Sequence, residues 1–226
     1  RMANDWSDEE LRAAVDIYVE MLRKHRFKES FIKKHYYAEL HAKYGRTEKS
    51  FEYRMQNISY VLSLMGRNWL PGLKPAKNVG AKNAAKIEAM LAQAEKISLI
   101  PVAAFETMVR EEIGKPSLEK PVGNTAPKAI QSEISTYQRD ARVKGWVLKE
   151  ANGICEGCGQ PAPFYGADGI PYLEVHHIRQ LAEGGSDTIM NVVALCPNCH
   201  REMHYGIDRE FSVGKLYARV GRLIRE

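Results

Sequence analysis

The stretch PYLEVHHIRQLAEGGSDTIMNVVALCPNCHREMH, residues 171–204, carries the pattern that decides the fold of the carboxy-terminal part of this chain. An apolar strand pattern, LEVHHI, ends in the adjacent pair His176 and His177. A polar, glycine-rich loop follows, and then the apolar run NVVAL, which begins with Asn191. Four of the seven histidines of the chain lie in this stretch. That concentration indicates a site with its own chemistry rather than core packing.

All four cysteines of the chain lie in its last third, as Cys155-x-x-Cys158 and Cys196-x-x-Cys199. In a reducing compartment this arrangement favours a metal over disulfides. Two such knuckles complete a tetrahedral shell of four thiolates, which is the pattern of a closed, structural Zn²⁺ site. A redox-active cysteine pair and inert core cysteines are the alternatives to this interpretation.

The histidines predict a second metal site. His200 and His204 are four residues apart on a helix that opens at about Asn198, so both project from one face and can share an ion. His176 and His177 point to opposite faces of a regular strand, and they serve one site only if the strand twists or ends there. One ring would then bind the metal while the other handles a proton. This division suits phosphodiester hydrolysis with one metal ion, in which a neutral imidazole deprotonates the attacking water.

Residues 140–206 resemble an HNH, or ββα-metal, endonuclease module, with LEVHHI as its first motif, Asn191 as its central asparagine and CPNCH as its last motif. Within that family, YQRDARVKGWVLKEANGICEGCGQPAPFY and the stretch quoted above are similar to the nuclease domain of the McrA-type modification-dependent restriction endonucleases. This similarity covers residues 137–206.

The resemblance implies a role for each motif residue. It makes His176 a ligand of the catalytic ion, His177 the general base and His200 a second ligand. His204 matches a histidine often present in this subgroup, and its spacing from His200 predicts a third ligand. Asn191 is implied to hydrogen-bond across the loop and keep the strand that carries the base in place. The catalytic divalent ion is Mg²⁺, Mn²⁺, Ni²⁺ or Zn²⁺ in this family, and three histidine ligands favour the transition metals. The four-cysteine zinc would stabilise a nuclease fold whose core is small.

Three helices are predicted in the first 66 residues, and they run from Trp6 to about Lys24, from Ser30 to about Lys43 and from Thr47 to Gly66. Ser7 and Glu10 form a capping box at the start of the first helix. The last two helices, joined by a short turn at YGRT, have the form of a helix-turn-helix. The second helix of such a unit enters the major groove of DNA.

Charge supports this interpretation of the amino-terminal part. The net charge of the chain is +5, and residues 23–54 contain 10 Lys or Arg against 4 Asp or Glu. Double-stranded DNA is therefore the expected partner. The residues expected to contact it are Lys49, Arg54, Gln56 and Asn57. A solvated helical face, or three helices that only pack or dimerise, would give the same pattern.

The sequence predicts an α+β protein of two domains. Residues 1–114 form an all-α, helix-turn-helix-like domain for DNA recognition, with further helices over 82–97 and 101–114. Residues 115–128, rich in proline and glycine, form a linker. Residues 129–226 form the ββα-metal HNH nuclease domain with its four-cysteine zinc site, opened by a helix over 128–151. No apolar run is long enough to cross a membrane and the first residues lack an apolar signal region, so a cytoplasmic location is expected.

The amino-terminal segment departs from the McrA pattern that is associated with cytosine-modification reading. WSDEEL, GRTEKSFEYRMQNIS and WLPGLKPAKN resemble a helical module that is fused to various bacterial endonuclease-like proteins. The leading prediction is a metal-dependent DNA endonuclease of restriction or defence, acting on DNA that is modified or plain and forming a homodimer to cut both strands. A non-catalytic, zinc-stabilised DNA-binding protein and a nuclease for structured nucleic acid are the alternatives.

Overall fold

The computed structural model describes residues 6–97, 101–117, 120–121 and 139–226. The chain divides into two compact units, residues 1–135 and 136–226. The division falls close to the predicted linker, but residues 118–119 and 122–128 of that linker lie outside the described residues, and the predicted domain limits stay a prediction. Within the described ranges, no helix is both long and apolar enough to span a membrane.

The first unit is helical. Its described helices are α1 (Asp8–Arg26), α2 (Lys33–Tyr44), α3 (Glu48–Leu64), α4 (Ala81–Glu95) and α5 (Ala103–Ile113). The capping box at α1 is confirmed: the Ser7 hydroxyl accepts the Glu10 N–H at 3.1 Å, and the Glu10 carboxylate accepts the Ser7 N–H at 2.8 Å. The Thr47 hydroxyl caps α3 by accepting the Ser50 N–H at 3.1 Å. Each predicted helix is therefore present, with ends that shift by a few residues.

The core of this unit lies between α1, α3 and α4, which contact one another through apolar faces. Its fully buried large side chains include Leu11, Tyr18, Met21, Phe51, Met55, Ile58, Leu62, Ile87 and Leu91. The hydroxyl of Tyr18 forms a hydrogen bond with Ser59 Oγ at 2.8 Å and accepts the backbone N–H of Leu70 at 2.9 Å. This hydroxyl therefore ties α1 to α3 and to the segment that follows α3.

One predicted DNA contact on α3 is corrected by the structure. Asn57 is buried, and its side-chain amide donates to the backbone carbonyl of Ala76 at 2.7 Å. The backbone N–H of Ala76 in turn donates to the Gln56 carbonyl at 3.0 Å. The segment after α3 folds back over this part of the helix because both bonds hold it there. The expectation that Asn57 faces solvent or a base edge is wrong.

The other predicted contact residues on α3 differ in exposure. Lys49 is exposed, whereas Arg54 is half-buried. The guanidinium of Arg54 lies 4.5 Å from the ring centroid of Trp6, and that of Arg46 lies 4.6 Å from the same ring. Arg54 therefore packs on an aromatic face, in an arrangement that cation–π attraction stabilises.

The second unit contains α6 (Ala141–Ala151), β1 (Glu174–His177), β2 (Val192–Leu195), α7 (Pro197–Tyr205) and α8 (Arg209–Arg219), with a 3-10 turn at Leu181–Glu183. The two strands pair antiparallel, with His176 opposite Val193 and His177 opposite Val192. β2 is buried along its whole length. The predicted helix over 128–151 begins at Ala141, since Asp140 caps it there, and its residues 128–138 lie outside the described part. The order β1, β2, α7 gives the mixed α+β class that the sequence predicts.

Candidate active site and metal centres

The four cysteines lie together. Their sulfur atoms are all within 4.8 Å of one another. Cys155 follows the bridge between Ile154 and Pro161, and Cys196 is the N-cap of α7 with Cys199 in its first turn. The backbone N–H of Cys196 donates to Cys155 Sγ at 3.1 Å. Four sulfur atoms in this arrangement fit a tetrahedral ion such as Zn²⁺, which binds thiolates at about 2.3 Å.

The electrostatics of the cluster also fit a cation. Burial raises the pKa of Cys196 and Cys199. Neighbouring sulfurs add to this effect at Cys199, whereas at Cys196 the contact with Cys199 opposes it. Burial acts in the same direction on Cys155, but backbone N–H groups outweigh it and lower the pKa of that thiol. Four thiolates need a compensating positive charge, which a bound divalent ion would supply.

The second cluster contains three imidazoles, His176, His200 and His204, each of which offers a ligand nitrogen within 4.8 Å of the others. β1 supplies the first ring, and α7 supplies the other two from positions one helical turn apart. The Nε2 atoms of His200 and His204 are 3.2 Å apart. The Nε2 atom of His176 is buried and has no hydrogen-bond partner in the described part of the chain. Three nitrogens facing one point fit a transition-metal ion.

Hydrogen bonds orient the two helix histidines. The Glu174 carboxylate accepts a hydrogen bond from His200 Nδ1 at 2.5 Å, and Gln180 Nε2 lies 3.4 Å from His204 Nδ1. This hydrogen bond from His200 is the main cause that lowers the pKa of Glu174. Because its Nδ1 donates to Glu174, His200 keeps the Nε2 lone pair for a metal, and a carboxylate behind a ligand histidine raises its basicity.

The ring of His176 is held neutral. Burial lowers its pKa to about 2, with a further contribution from the neighbouring His204 and His200. A neutral imidazole keeps its lone pair, which is the form that binds a metal ion. The buried ring on β1 therefore suits the ligand role better than the proton-transfer role.

His177 has a different set of contacts. It is the last residue of β1, and its Nε2 atom lies 2.7 Å from Asp187 Oδ1. The second oxygen of Asp187 accepts the backbone N–H of Asp140 at 2.6 Å. Alternation along the strand explains the difference, because Glu174 and His176 face α7 while His177 faces the loop before β2. The structure thus gathers three of the four predicted histidines and gives the fourth a carboxylate partner.

Asn191 is fully buried and clamps the loop between the strands. Its Oδ1 accepts the Arg179 N–H at 2.9 Å, and its Nδ2 donates to the carbonyls of Arg179 at 2.9 Å and Ser186 at 2.8 Å. The backbone N–H of Ile178 also donates to the Asn191 carbonyl. These bonds fix the chain directly after His177.

Two residues near the site are absent from the sequence-based expectations. Asp187 lies in the polar loop between the strands. Its position four residues before Asn191 is the only sequence signal that could have pointed to it. Arg209, the first residue of α8, is buried with its charge close enough to lower the pKa of His176. Burial lowers the pKa of Arg209 itself, and the charge of Glu183 opposes that effect. Nothing in the spacing of the sequence points to Arg209.

Comparison with known proteins agrees with this geometry. The family model for HNH endonucleases matches residues 155–206, which include both cysteine knuckles and all four histidines of the motif region. The strands and helix of that range therefore define an HNH module.

The individual relatives are more specific. The chain is 36% identical over 186 residues to the type IV methyl-directed restriction enzyme EcoKMcrA of Escherichia coli strain K12, a match that covers 79% of this chain and 67% of that enzyme. It belongs to the McrA-type HNH endonuclease family. A second relative, anaredoxin of Nostoc sp. strain PCC 7120, is 48% identical over 31 residues, which are 14% of this chain and 41% of that protein.

A solved structure, that of the type IV phosphorothioation-dependent restriction endonuclease ScoMcrA, matches with 38% identity and a TM-score of 0.34. The match covers 37% of this chain and spans 19% of the length of ScoMcrA.

The match to EcoKMcrA covers more of the chain than the second unit contains, so the similarity extends into the first unit. The predicted likeness to the McrA family over residues 137–206 is confirmed, and the similarity extends beyond that range.

Proposed function

We propose that this chain is a metal-dependent DNA endonuclease of a restriction system, with its active site in residues 136–226. The convergence of His176, His200 and His204, next to a fourth histidine paired with Asp187, supports the proposal most directly. A protein that used its zinc only as a scaffold for binding DNA would have no need of a second cluster. Family membership points the same way.

The residues have distinct roles in this proposal. His176, His200 and His204 would hold a divalent ion, which when bound stabilises negative charge on the phosphate and on the departing 3′ oxygen. His177 takes a proton from a water molecule as the water oxygen bonds to phosphorus. The bond between phosphorus and the 3′ oxygen breaks, and that oxygen takes a proton from solvent. The products carry 5′ phosphate and 3′ hydroxyl ends.

Cleavage of plasmid DNA by the full chain tests the proposal. Purified protein should nick or cut DNA when Mg²⁺, Mn²⁺, Ni²⁺ or Zn²⁺ is added, and chelation should stop it. His177→Ala should reduce cleavage by about 10²–10⁴-fold, the usual contribution of a general base, with DNA binding retained. His25→Ala, a change at an exposed histidine of α1, is the matched control. Cleavage by His177→Ala at the parental rate would remove His177 from the role of base.

The four cysteines would hold structural zinc in this proposal. Metal analysis of the intact protein should then give two ions per chain, one at each cluster, with the zinc of the cysteine cluster resisting mild chelation. One tightly bound zinc and no second site would instead favour a DNA-binding protein without catalysis.

Modified DNA is the substrate class that the family suggests, since the name of EcoKMcrA describes it as methyl-directed. We propose that the first unit supplies DNA recognition through α2, the turn at Gly45 and α3, with Lys49 as an exposed contact. Matched duplexes that differ only in cytosine methylation or in phosphorothioate linkages, compared at one salt concentration, test this selectivity. Equal cleavage of all duplexes would contradict it. Cutting of both strands is proposed to require a homodimer, which analytical ultracentrifugation with DNA tests directly.

A further inference from the structure

Asp187, the hydrogen-bond partner of His177, is the basis of a further inference, which rests on the proposed function. A histidine can accept a proton only at a ring nitrogen that carries none. Nε2 of His177 lies 2.7 Å from Asp187 Oδ1, while Nδ1 has no protein partner among the described residues. Which nitrogen carries the ring proton therefore depends on Asp187.

Asp187 acts only as an acceptor. Although burial opposes the change, hydrogen bonds from the Asp140 N–H and from His177 lower the pKa of its carboxyl group, and the positive charge of Arg139 adds to this. An ionised carboxylate has no proton to donate. The proton in the 2.7 Å contact must then belong to His177 Nε2, which leaves the lone pair on Nδ1.

The carboxylate is itself fixed in place. Its second oxygen accepts the Asp140 N–H at 2.6 Å, at the residue whose side chain caps α6. Asp187 follows Ser186, whose carbonyl is held by Asn191. The side chains of His177 and Asp187 are 7% and 21% exposed, so water competes little for the contact. Both the position and the rotation of the carboxylate are therefore set before DNA arrives.

We propose that Asp187 is a positioning residue that locks His177 in the tautomer with the proton on Nε2 and directs Nδ1 toward the attacking water. Asp187, held by the Asp140 N–H, fixes the His177 ring proton on Nε2. His177 then accepts a proton on Nδ1 without first changing its tautomer. A carboxylate that orients a catalytic imidazole in this way contributes to rate without touching the substrate.

Asp187→Asn tests the proposal sharply because the Asp140 N–H fixes which way the new amide group faces. That donor requires the amide oxygen of the new asparagine, so the amide NH₂ group turns toward His177. Nε2 must then accept a hydrogen bond, and the ring proton moves to Nδ1, where it blocks the base. The substitution changes the tautomer and leaves the size of the side chain unchanged.

Two readouts are needed. In long-range ¹H–¹⁵N spectra of the full chain, His177 should show the Nε2–H form in the parent and the Nδ1–H form in Asp187→Asn, with His177→Gln used for assignment. The single-turnover cleavage rate should fall by about 10²–10⁴-fold, while the Kd for DNA and the bound metal stay within about three-fold of the parental values. Asp168→Asn, in an exposed loop of the same unit, should change neither readout.

The outcomes separate this proposal from the proposed function. An Nδ1–H tautomer in the parental protein overturns it without any variant, and so does cleavage by Asp187→Asn at the parental rate. If the parental chain cuts no DNA at all, the endonuclease proposal fails, and the spectra still decide whether Asp187 sets the His177 tautomer.

Discussion

Replacing Asn191 with aspartate tests how far the site depends on one buried amide. The change conserves the size and shape of the side chain, so no cavity is created. The carboxylate can still accept the Arg179 N–H, which the parental side chain binds at 2.9 Å. It cannot donate to the carbonyls of Arg179 and Ser186, which the parental Nδ2 reaches at 2.9 and 2.8 Å. Two half-buried acceptors then face a negative charge.

The expected magnitude follows from these contacts. A buried polar group that loses its partner costs about 1–3 kcal/mol, and repulsion from a buried charge adds to that cost. With two carbonyls affected, the loop between the strands should lose about 3–5 kcal/mol of stability. Since every 1.4 kcal/mol is tenfold in an equilibrium constant, amide exchange in β1 and β2 should accelerate by roughly 10²- to 10³-fold or more.

Hydrogen–deuterium exchange of the full chain, read on peptides covering residues 174–195, measures this effect. Asn198→Asp is the matched control, because Asn198 is exposed in the first turn of α7. A surface change of that kind stays within about 0.5 kcal/mol. Equal protection of β1 and β2 in the two variants would refute the conclusion that the Asn191 clamp holds the strand pair.

Three other predictions follow from single contacts. Tyr18→Phe should destabilise the first unit by about 1–3 kcal/mol, since the buried backbone N–H of Leu70 loses its acceptor. Tyr53→Phe, on an exposed ring, should leave stability unchanged. Thermal denaturation of the two variants compares them. The hydrogen bond from Arg46 lowers the pKa of Glu10, although the burial of Glu10 acts in the opposite direction. The stabilisation from Glu10 is thus present above its unfolded-state pKa and is lost as the pH falls through the lower folded value. Stability measured between neutral pH and about pH 3 should fall more in the parent than in Glu10→Gln. Glu174→Gln should weaken metal binding by about 10–100-fold, because His200 loses the carboxylate that accepts its Nδ1 proton. Competition with a chelating dye measures the affinity. An unchanged affinity would contradict the role of Glu174 in supporting His200.

Local patterns predicted much of this molecule. Capping residues and apolar spacing located α1 and α3, since these signals act within one or two helical turns. The C-x-x-C spacing predicted that each pair of cysteines shares one short turn, and the structure brings the two pairs together although Cys155 and Cys196 are 41 residues apart. The spacing of His200 and His204 placed them on one helix face.

Contacts between distant segments were not predictable in this way. Asn57 has the polarity of a surface residue, and only the return of the chain at Ala76 buries it. Asp187 and Asp140 are 47 residues apart, and their hydrogen bond depends on how α6 packs beside the strand pair. Arg209 reaches the site for a similar reason, since the position of α8 follows from tertiary packing rather than from sequence spacing.

The pair His176 and His177 shows how a strand can separate two kinds of chemistry by one residue. Alternation sends His176 toward α7, where burial holds it neutral beside two other imidazoles, and sends His177 toward the anionic Asp187. A shift of one residue in the pairing of β1 with β2 would exchange these environments and place each ring in the wrong one. The bonds from Asn191 to both sides of the intervening loop oppose such a shift, because they fix Arg179 and Ser186 relative to the start of β2. The register of two four-residue strands is therefore the structural basis for the proposed division between metal binding and proton transfer.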